Sequence, residues 1–303
     1  MFLPKTSFYK DSRDWRQNFF KTLETRPKEY WDNFKLDIDA HVDKTYILHL
    51  PHRTDRVEAL KTNLQKIKTK NSTLLDSVTW WEGSFGKTKW DKNIHDPNYS
   101  FYYCWNLDPD PMLYENLGRV PDVQELKDLN IECSLAESNI ALGHVGILQD
   151  IIDTNANAAF ILEDDVQFSI GFSWLIEKMF KQLPPDWDIF YVSYAPCLYG
   201  FESEPYSEDL VKINSGVWWL SGVFISQRAA KKLIDNLPVI GPVDVWINYH
   251  MDDLNVYGSK YNCIGQNTNS ESDNTHSYKH AIHDIGVIMD GVVNKTNLNE
   301  IYK

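Results

Sequence analysis

The chain has 303 residues, 43% of them hydrophobic and 14% aromatic, which is enough apolar side chain for one large α/β domain or two small ones and excludes a disordered polypeptide. Its formal net charge of -13 argues against a nucleic-acid backbone as partner, because that binding rests on clustered Lys and Arg that release counterions from phosphates. Residues 1–10 hold no apolar run of signal-peptide length and nothing later approaches a membrane span, so the expectation is a soluble chain, cytoplasmic by default.

Trp15, Phe19 and Leu23 recur at fourfold spacing and predict an amphipathic helix ended near Pro27, so residues 1–44 read as an N-terminal helical extension. A short apolar strand follows at 46–50, closed by Pro51, after which Thr54 is placed to cap a helix over about 55–67. A second strand is expected at 77–81. From about 83 to 133 no period persists, and an irregular insertion carries the aromatics Trp90, Tyr99, Phe101, Tyr102, Tyr103 and Trp105. Order returns with Ser134 and Glu137, spaced as a capping box, opening a helix to about Thr154. Residues 158–162 are a continuous apolar run of strand length, the pattern of a strand buried on both faces.

Glu163, Asp164 and Asp165 follow that run at once. A helix at 172–183, a stop at Pro184 and Pro185, a strand at 189–194, and a strand at 222–226 leading into a helix through Asn236 complete the alternation. The alternation predicts an α/β domain over 45–280 with a mostly parallel central sheet. Residues 281–303 read as a C-terminal tail, in which 282–293 either packs internally or forms a homodimer contact. Cys104, Cys133, Cys197 and Cys263 are widely spaced and are expected to be free thiols.

Acidic pairs are common in this chain, so spacing alone selects none. Position does: ligands of open α/β sheets bind beyond the carboxyl ends of strands, and only Glu163, Asp164 and Asp165 directly follow a strand of the buried type. Carboxylates crowded there repel one another unless a cation intervenes, and oxygen ligands suit magnesium or manganese completed by substrate phosphate. The plainer alternative is a solvated turn. A diphosphate leaving an anomeric carbon needs such a clamp for its developing charge, while the acceptor hydroxyl needs alignment and a carboxylate base.

Several blocks, taken in order, resemble glycosyltransferase family 25, which includes bacterial lipooligosaccharide and animal procollagen galactosyltransferases. They are the opening strand and Arg-rich turn from Tyr46 to Arg56; Trp81, Glu82 and Gly83; the helix containing Leu142, Gly143 and His144; the run from Phe160 through Glu163, Asp164 and Asp165 to Phe168; 186–192; 219–226 with Lys231 and Lys232; Pro242, Val243 and Asp244; and 272–275. His49, Asn139, Ile140 and Gly143 depart from the family pattern within them.

The resemblance implies a GT-A-type, Rossmann-like nucleotide-sugar-binding domain, a UDP-sugar donor (usually UDP-galactose), Mn2+ or Mg2+, and inversion at the anomeric carbon. It carries Glu163, Asp164 and Asp165 over to the metal motif, with Asp165 the preferred ligand, and puts Leu48, Arg53, Arg56, Glu82 and His144 in the blocks that line the nucleotide pocket. His49 and Gly83 belong to the same blocks. Asp244 is either the catalytic base or an N-cap, for which Asp is favoured on backbone grounds. His276 or Asp273 either completes the metal shell or is an ordinary loop residue. His144 contacts donor or packs on the sheet. Trp218 and Trp219, adjacent in a strand and therefore pointing opposite ways, divide between core and acceptor pocket. The acceptor is a hydroxyl of a protein or glycan, with hydroxylysine of a collagen-like sequence the leading hypothesis. The alternatives are a lipooligosaccharide-type transferase, a silent sugar-binding or scaffold homologue, and a metal-dependent nucleotidyltransferase.

Overall fold

The computed structural model describes residues 5–6, 26–83, 91–100, 130–196, 201–266 and 277. Trp15, Phe19, Leu23, Asp273, His276, the tail and all the insertion's aromatics except Tyr99 lie outside these residues. The central sheet is built from β1 (Lys44–His49), β2 (Val78–Glu82), β3 (Ala158–Glu163), β4 (Ile189–Pro196), β5 (Glu202–Pro205), β6 (Leu210–Ser215), β7 (Val217–Ser226) and β8 (Val256–Ser259). Their order across the sheet is β5-β6-β8-β4-β7-β3-β1-β2.

β1 is parallel to both β2 and β3, and β4 to β8, whereas β7 is antiparallel to β3 and β4, and β6 to β5 and β8. Six of the eight strands therefore run in one sense. This is the expected α/β domain with a sheet mostly parallel at its core.

Alternation along β3 decides where the core lies. Ala159 and Ile161 face one layer, with Tyr46 of β1, while Ala158, Phe160 and Leu162 face the other, with Ile47. The first layer is closed by α3 (Leu135–Asp153), α5 (Gln227–Asp235) and α6 (Val243–Asn248), through Ala141, Leu148, Leu233 and Trp246. The second is closed by α2 (Thr54–Leu64) and α4 (Phe172–Phe180), through Leu60, Leu64, Leu175 and Met179. Phe160 and Phe224 stack at 4.1 Å between centroids, each ring contributing about 1.5–3 kcal/mol by leaving water. Leu36, Ile38 and Val42 join the same layer, so the segment between α1 (Lys28–Asn33) and β1 packs into the domain.

Two buried aspartates fasten helices to the sheet. Asp188, fully buried, accepts from Arg228 Nε at 2.7 Å, Lys232 Nζ at 3.1 Å and the Asn255 amide at 3.0 Å, tying α5 to the start of β4. Asp209, also fully buried, meets Lys178 Nζ at 2.9 Å and the Tyr261 hydroxyl. Removing one partner from such a cluster leaves an uncompensated buried charge.

The capping box is present as expected: the Glu137 amide donates to Ser134 Oγ at 3.2 Å, and the Ser134 amide to Glu137 Oε2 at 2.8 Å. Thr54 does not cap α2; it is the first helical residue, and Arg53 holds the cap position without a side-chain capping bond to the helix's first turn. β7 begins at Val217 rather than 222, because a bulge between Trp218 and Gly222 interrupts its period-two pattern.

Candidate active site at the carboxyl end of the sheet

Leu48 pairs in register with Glu163, so the ends of the parallel strands β1 and β3 lie side by side. The turn after β1 is bound to the acidic run there. The Leu50 amide donates to Asp164 Oδ2 at 3.2 Å and Arg56 Nη1 to Asp164 Oδ1 at 3.1 Å, so both oxygens of this 6% exposed carboxylate are engaged. Arg56 also lies 4.0 Å from Asp165 Oδ2. Arg53 forks onto Asp55 through two 3.0 Å bonds.

Glu163 is held from the far side. Ser221 Oγ, on the bulge of β7, donates to Glu163 Oε2 at 3.1 Å, and Gln266 Nε2 donates to Ser221 Oγ at 3.0 Å. Burial, and then the negative charge of Asp165, pushes the Glu163 carboxyl up to about 8. Burial also raises Asp165, against the pull of Arg56. Asp165 Oδ1 is buried with no hydrogen-bond partner among the described residues, an arrangement that costs free energy unless a proton or a cation neutralises the carboxylate. Two oxygen-donor carboxyls, one with an orphaned oxygen, fit a hard divalent cation. Among the described residues no group of three His, Cys, Asp or Glu side chains is arranged to hold a metal ion.

Asp244 enters from α6, following Pro242 at the N-terminal end of that helix. Its Oδ2 accepts from the Trp219 amide at 3.2 Å and its Oδ1 from the Val245 amide at 3.0 Å. Burial raises this carboxyl too, and its charge adds to the upward pressure on Glu163, which brings Glu163, Asp165 and Asp244 into one electrostatic cluster. Glu137 reaches the same neighbourhood: its charge is felt at Asp244, and its Oε1 accepts from the Ser277 amide at 3.1 Å. Ser277 Oγ in turn shares a 3.2 Å hydrogen bond with the Tyr99 hydroxyl.

The remaining expected pocket residues divide. Leu48 is 7% exposed and fills the space beside Gly143, where an added Cβ would lie 2.7 Å from Leu48 Cδ1. The Gly83 amide closes onto the His49 carbonyl at 2.7 Å, and His49 meets Trp80 edge to face. Glu82 is exposed at the end of β2. His144 is 2% exposed and burial pushes its imidazole down to about 4, so it is a neutral, packed histidine. Trp218 is half-buried, while Trp219 is 42% exposed, with φ 76 in the left-handed region.

Ser221, Gln266 and Asn248 were not singled out by the sequence. Ser221 and Gln266 are brought to Glu163 by the β7 bulge and by the short strand Ile264–Gln266, which pairs with Val166–Phe168 just beyond the acidic turn. Neither a bulge nor that pairing has a composition signal; Gly222, whose added Cβ would lie 2.5 Å from Ile264 Cδ1, was the nearest available hint.

Residues 42–247 match the family described as glycosyltransferase family 25 (LPS biosynthesis protein). Procollagen galactosyltransferase 1-A and 1-B of Xenopus laevis are each 25% identical over 228 residues, covering 72% of this chain and 33% of their own length. Procollagen galactosyltransferase 1 of Danio rerio is 27% identical over 113 residues, covering 35% of this chain and 18% of its own. The chain thus spans about a third of the length of the Xenopus relatives it matches.

Proposed function

Because the chain belongs to glycosyltransferase family 25, we propose that it transfers a hexose, galactose from UDP-galactose, to a hydroxyl acceptor with inversion at the anomeric carbon. The observation that carries this reading is the cluster of Glu163, Asp165 and Asp244 at the carboxyl end of β3, with carboxyls raised by burial and one orphaned oxygen. Asp165 and Glu163 would hold a Mn2+ or Mg2+ ion, with Asp273 or His276 as further ligands. Bound there, the ion would neutralise the charge that develops on a departing diphosphate.

The chain's own residues take the other parts. Arg56 and Asp164 brace the β1 turn, so Asp164 is assigned a supporting rather than a ligating role. Leu48, His49 and Gly83, at the ends of β1 and β2, are positioned to shape the floor of the nucleotide pocket, with Arg53 and Glu82 at its rim. His144 is assigned to packing beneath it. Asp244 is the base that takes the acceptor's proton; its raised carboxyl makes it a better proton acceptor once ionised.

The names of the procollagen galactosyltransferase relatives favour a collagen-like acceptor, for which we propose a hydroxylysine hydroxyl, whereas the family's description favours a bacterial glycan. Incubation of a hydroxylysine-containing collagen peptide with the protein, UDP-galactose and Mn2+ should add the mass of one hexose. Transfer only to a lipooligosaccharide-type glycan would replace the acceptor, and release of pyrophosphate would replace the reaction by nucleotidyl transfer. Absence of both transfer and donor hydrolysis with every UDP-hexose would leave a sugar-binding or scaffold homologue.

A further inference from the structure

Trp219 combines three properties that seldom coincide in a large apolar residue. Its backbone has φ 76, a region that L side chains enter only under strain. Its indole is 42% exposed, so much of the ring takes no part in packing that could offset the strain. And the conformation is held from outside, by α6.

The holding is specific. Asp244 Oδ2 accepts the Trp219 amide at 3.2 Å. One turn later on α6, Asn248 Oδ1 accepts the Gly216 and Val217 amides at 2.9 and 3.0 Å, while Asn248 Nδ2 donates to the Val217 carbonyl at 2.8 Å and back to the Asp244 carbonyl at 2.8 Å. Positions i and i+4 of one short helix therefore grip both ends of the segment 216–219, and the second grip also fixes the first. Strain that surroundings over-determine in this way clusters at active sites and ligand clamps.

We propose that Trp219 is an acceptor-contacting platform, its indole face laid against the hydrocarbon flank of the group that carries the acceptor hydroxyl, and that Asn248 is a positioning residue that acts through Trp219 and Asp244. The inference rests on the transferase reading above and adds to it a means of aligning the hydroxyl with Asp244. An indole is suited to this task because it offers a broad, rigid apolar surface at little conformational cost.

Trp219→Gly separates this from a structural role without using activity. Glycine adopts a positive φ freely, so loss of an indole that only contacts ligand should leave Tm at or up to about 3 °C above that of the wild type. A clear fall in Tm would mean that the indole serves packing, and would overturn the proposal even if no acceptor had been found. With an acceptor that the wild type uses, Trp219→Gly and Asn248→Ala should each raise acceptor KM at least tenfold, with donor KM within twofold of wild type. The double variant should match the worse single one, because both act on one platform. A matching rise in donor KM, additive effects, or an unchanged acceptor KM would each refute it. Trp219→Phe, which keeps an aromatic face, should recover most of the lost acceptor affinity.

Discussion

Arg56 Nη1 lies 3.1 Å from Asp164 Oδ1, joining the first turn of α2 to the acidic run that follows β3 across 108 residues of chain. This ion pair is almost dry, with side-chain exposures of 11% and 7%, so its two partners depend on each other. Asp164→Ala would take from the buried Arg56 guanidinium the nearer of its two carboxylates, leaving Asp165 at 4.0 Å, and is expected to destabilise the fold by about 2–4 kcal/mol. Asp165→Ala, in contrast, relieves crowding, and should keep or raise Tm while abolishing metal-dependent turnover. Urea melts of the two variants check this; equal destabilisation would contradict the division of roles.

The raised carboxyls set the pH dependence of the metal-free protein. Glu163 titrates near 8 when folded and near 4.5 when unfolded, so its contribution is complete below about pH 4.5 and is lost as pH rises through 8. Burial of neutral His144 has the opposite sign: its contribution is present above 6.5 and lost as pH falls towards 4. Between these limits the two oppose each other, and above pH 6.5 the carboxyls act alone. Tm should therefore fall from pH 6.5 to 8 without metal, and Glu163→Gln should flatten that slope. Thermal scans at constant ionic strength measure it.

Ser221 donates the hydrogen bond that restrains the upward shift of Glu163. Ser221→Ala removes it, so Glu163 should hold its proton to higher pH and Mn2+ should bind about three- to tenfold more weakly at pH 7, recovering at pH 9. Calorimetric titration with Mn2+ at the two pH values reads this directly. An affinity loss that is the same at both would point to lost packing instead.

Asp244→Asn keeps an oxygen for the Trp219 amide and removes the base. Transfer should fall by about 10²–10⁴ in kcat, with Tm near that of the wild type. A stopped assay of hexose transfer, run beside a melt, tests the assignment; a drop of less than tenfold would leave Asp244 only the structural role of holding the Trp219 amide, since Pro242 and not Asp244 occupies the N-cap of α6.

Much of this could be read from the residues before the fold was known. The continuous apolar run of β3 announced a strand buried on both faces, and Ser134 with Glu137 marked the start of α3, because both depend on local pattern alone. The run Glu163, Asp164, Asp165 was recognisable as a strand-end cluster for the same reason. What stayed hidden depends on tertiary pairing. The assignment of Asp164 to Arg56 and of Glu163 to Ser221 joins residues 108 and 58 positions apart. The reversed strand β7, and the bulge that strains Trp219, follow from pairing with two neighbours at once, which period-two reading of 217–226 cannot express. Where the expectation of alternating Trp218 and Trp219 met the structure, the bulge decided the outcome.

The roles given to the site's residues turn on whether Asp165 and Glu163 take a divalent ion shared with a nucleotide's phosphates. Calorimetric titration of UDP into the protein with and without Mn2+, repeated on Asp165→Ala, tests it most directly. UDP binding should require Mn2+ in the wild type and be lost in the variant. Equal UDP affinity with and without the metal, or full metal-dependent binding by Asp165→Ala, would contradict it.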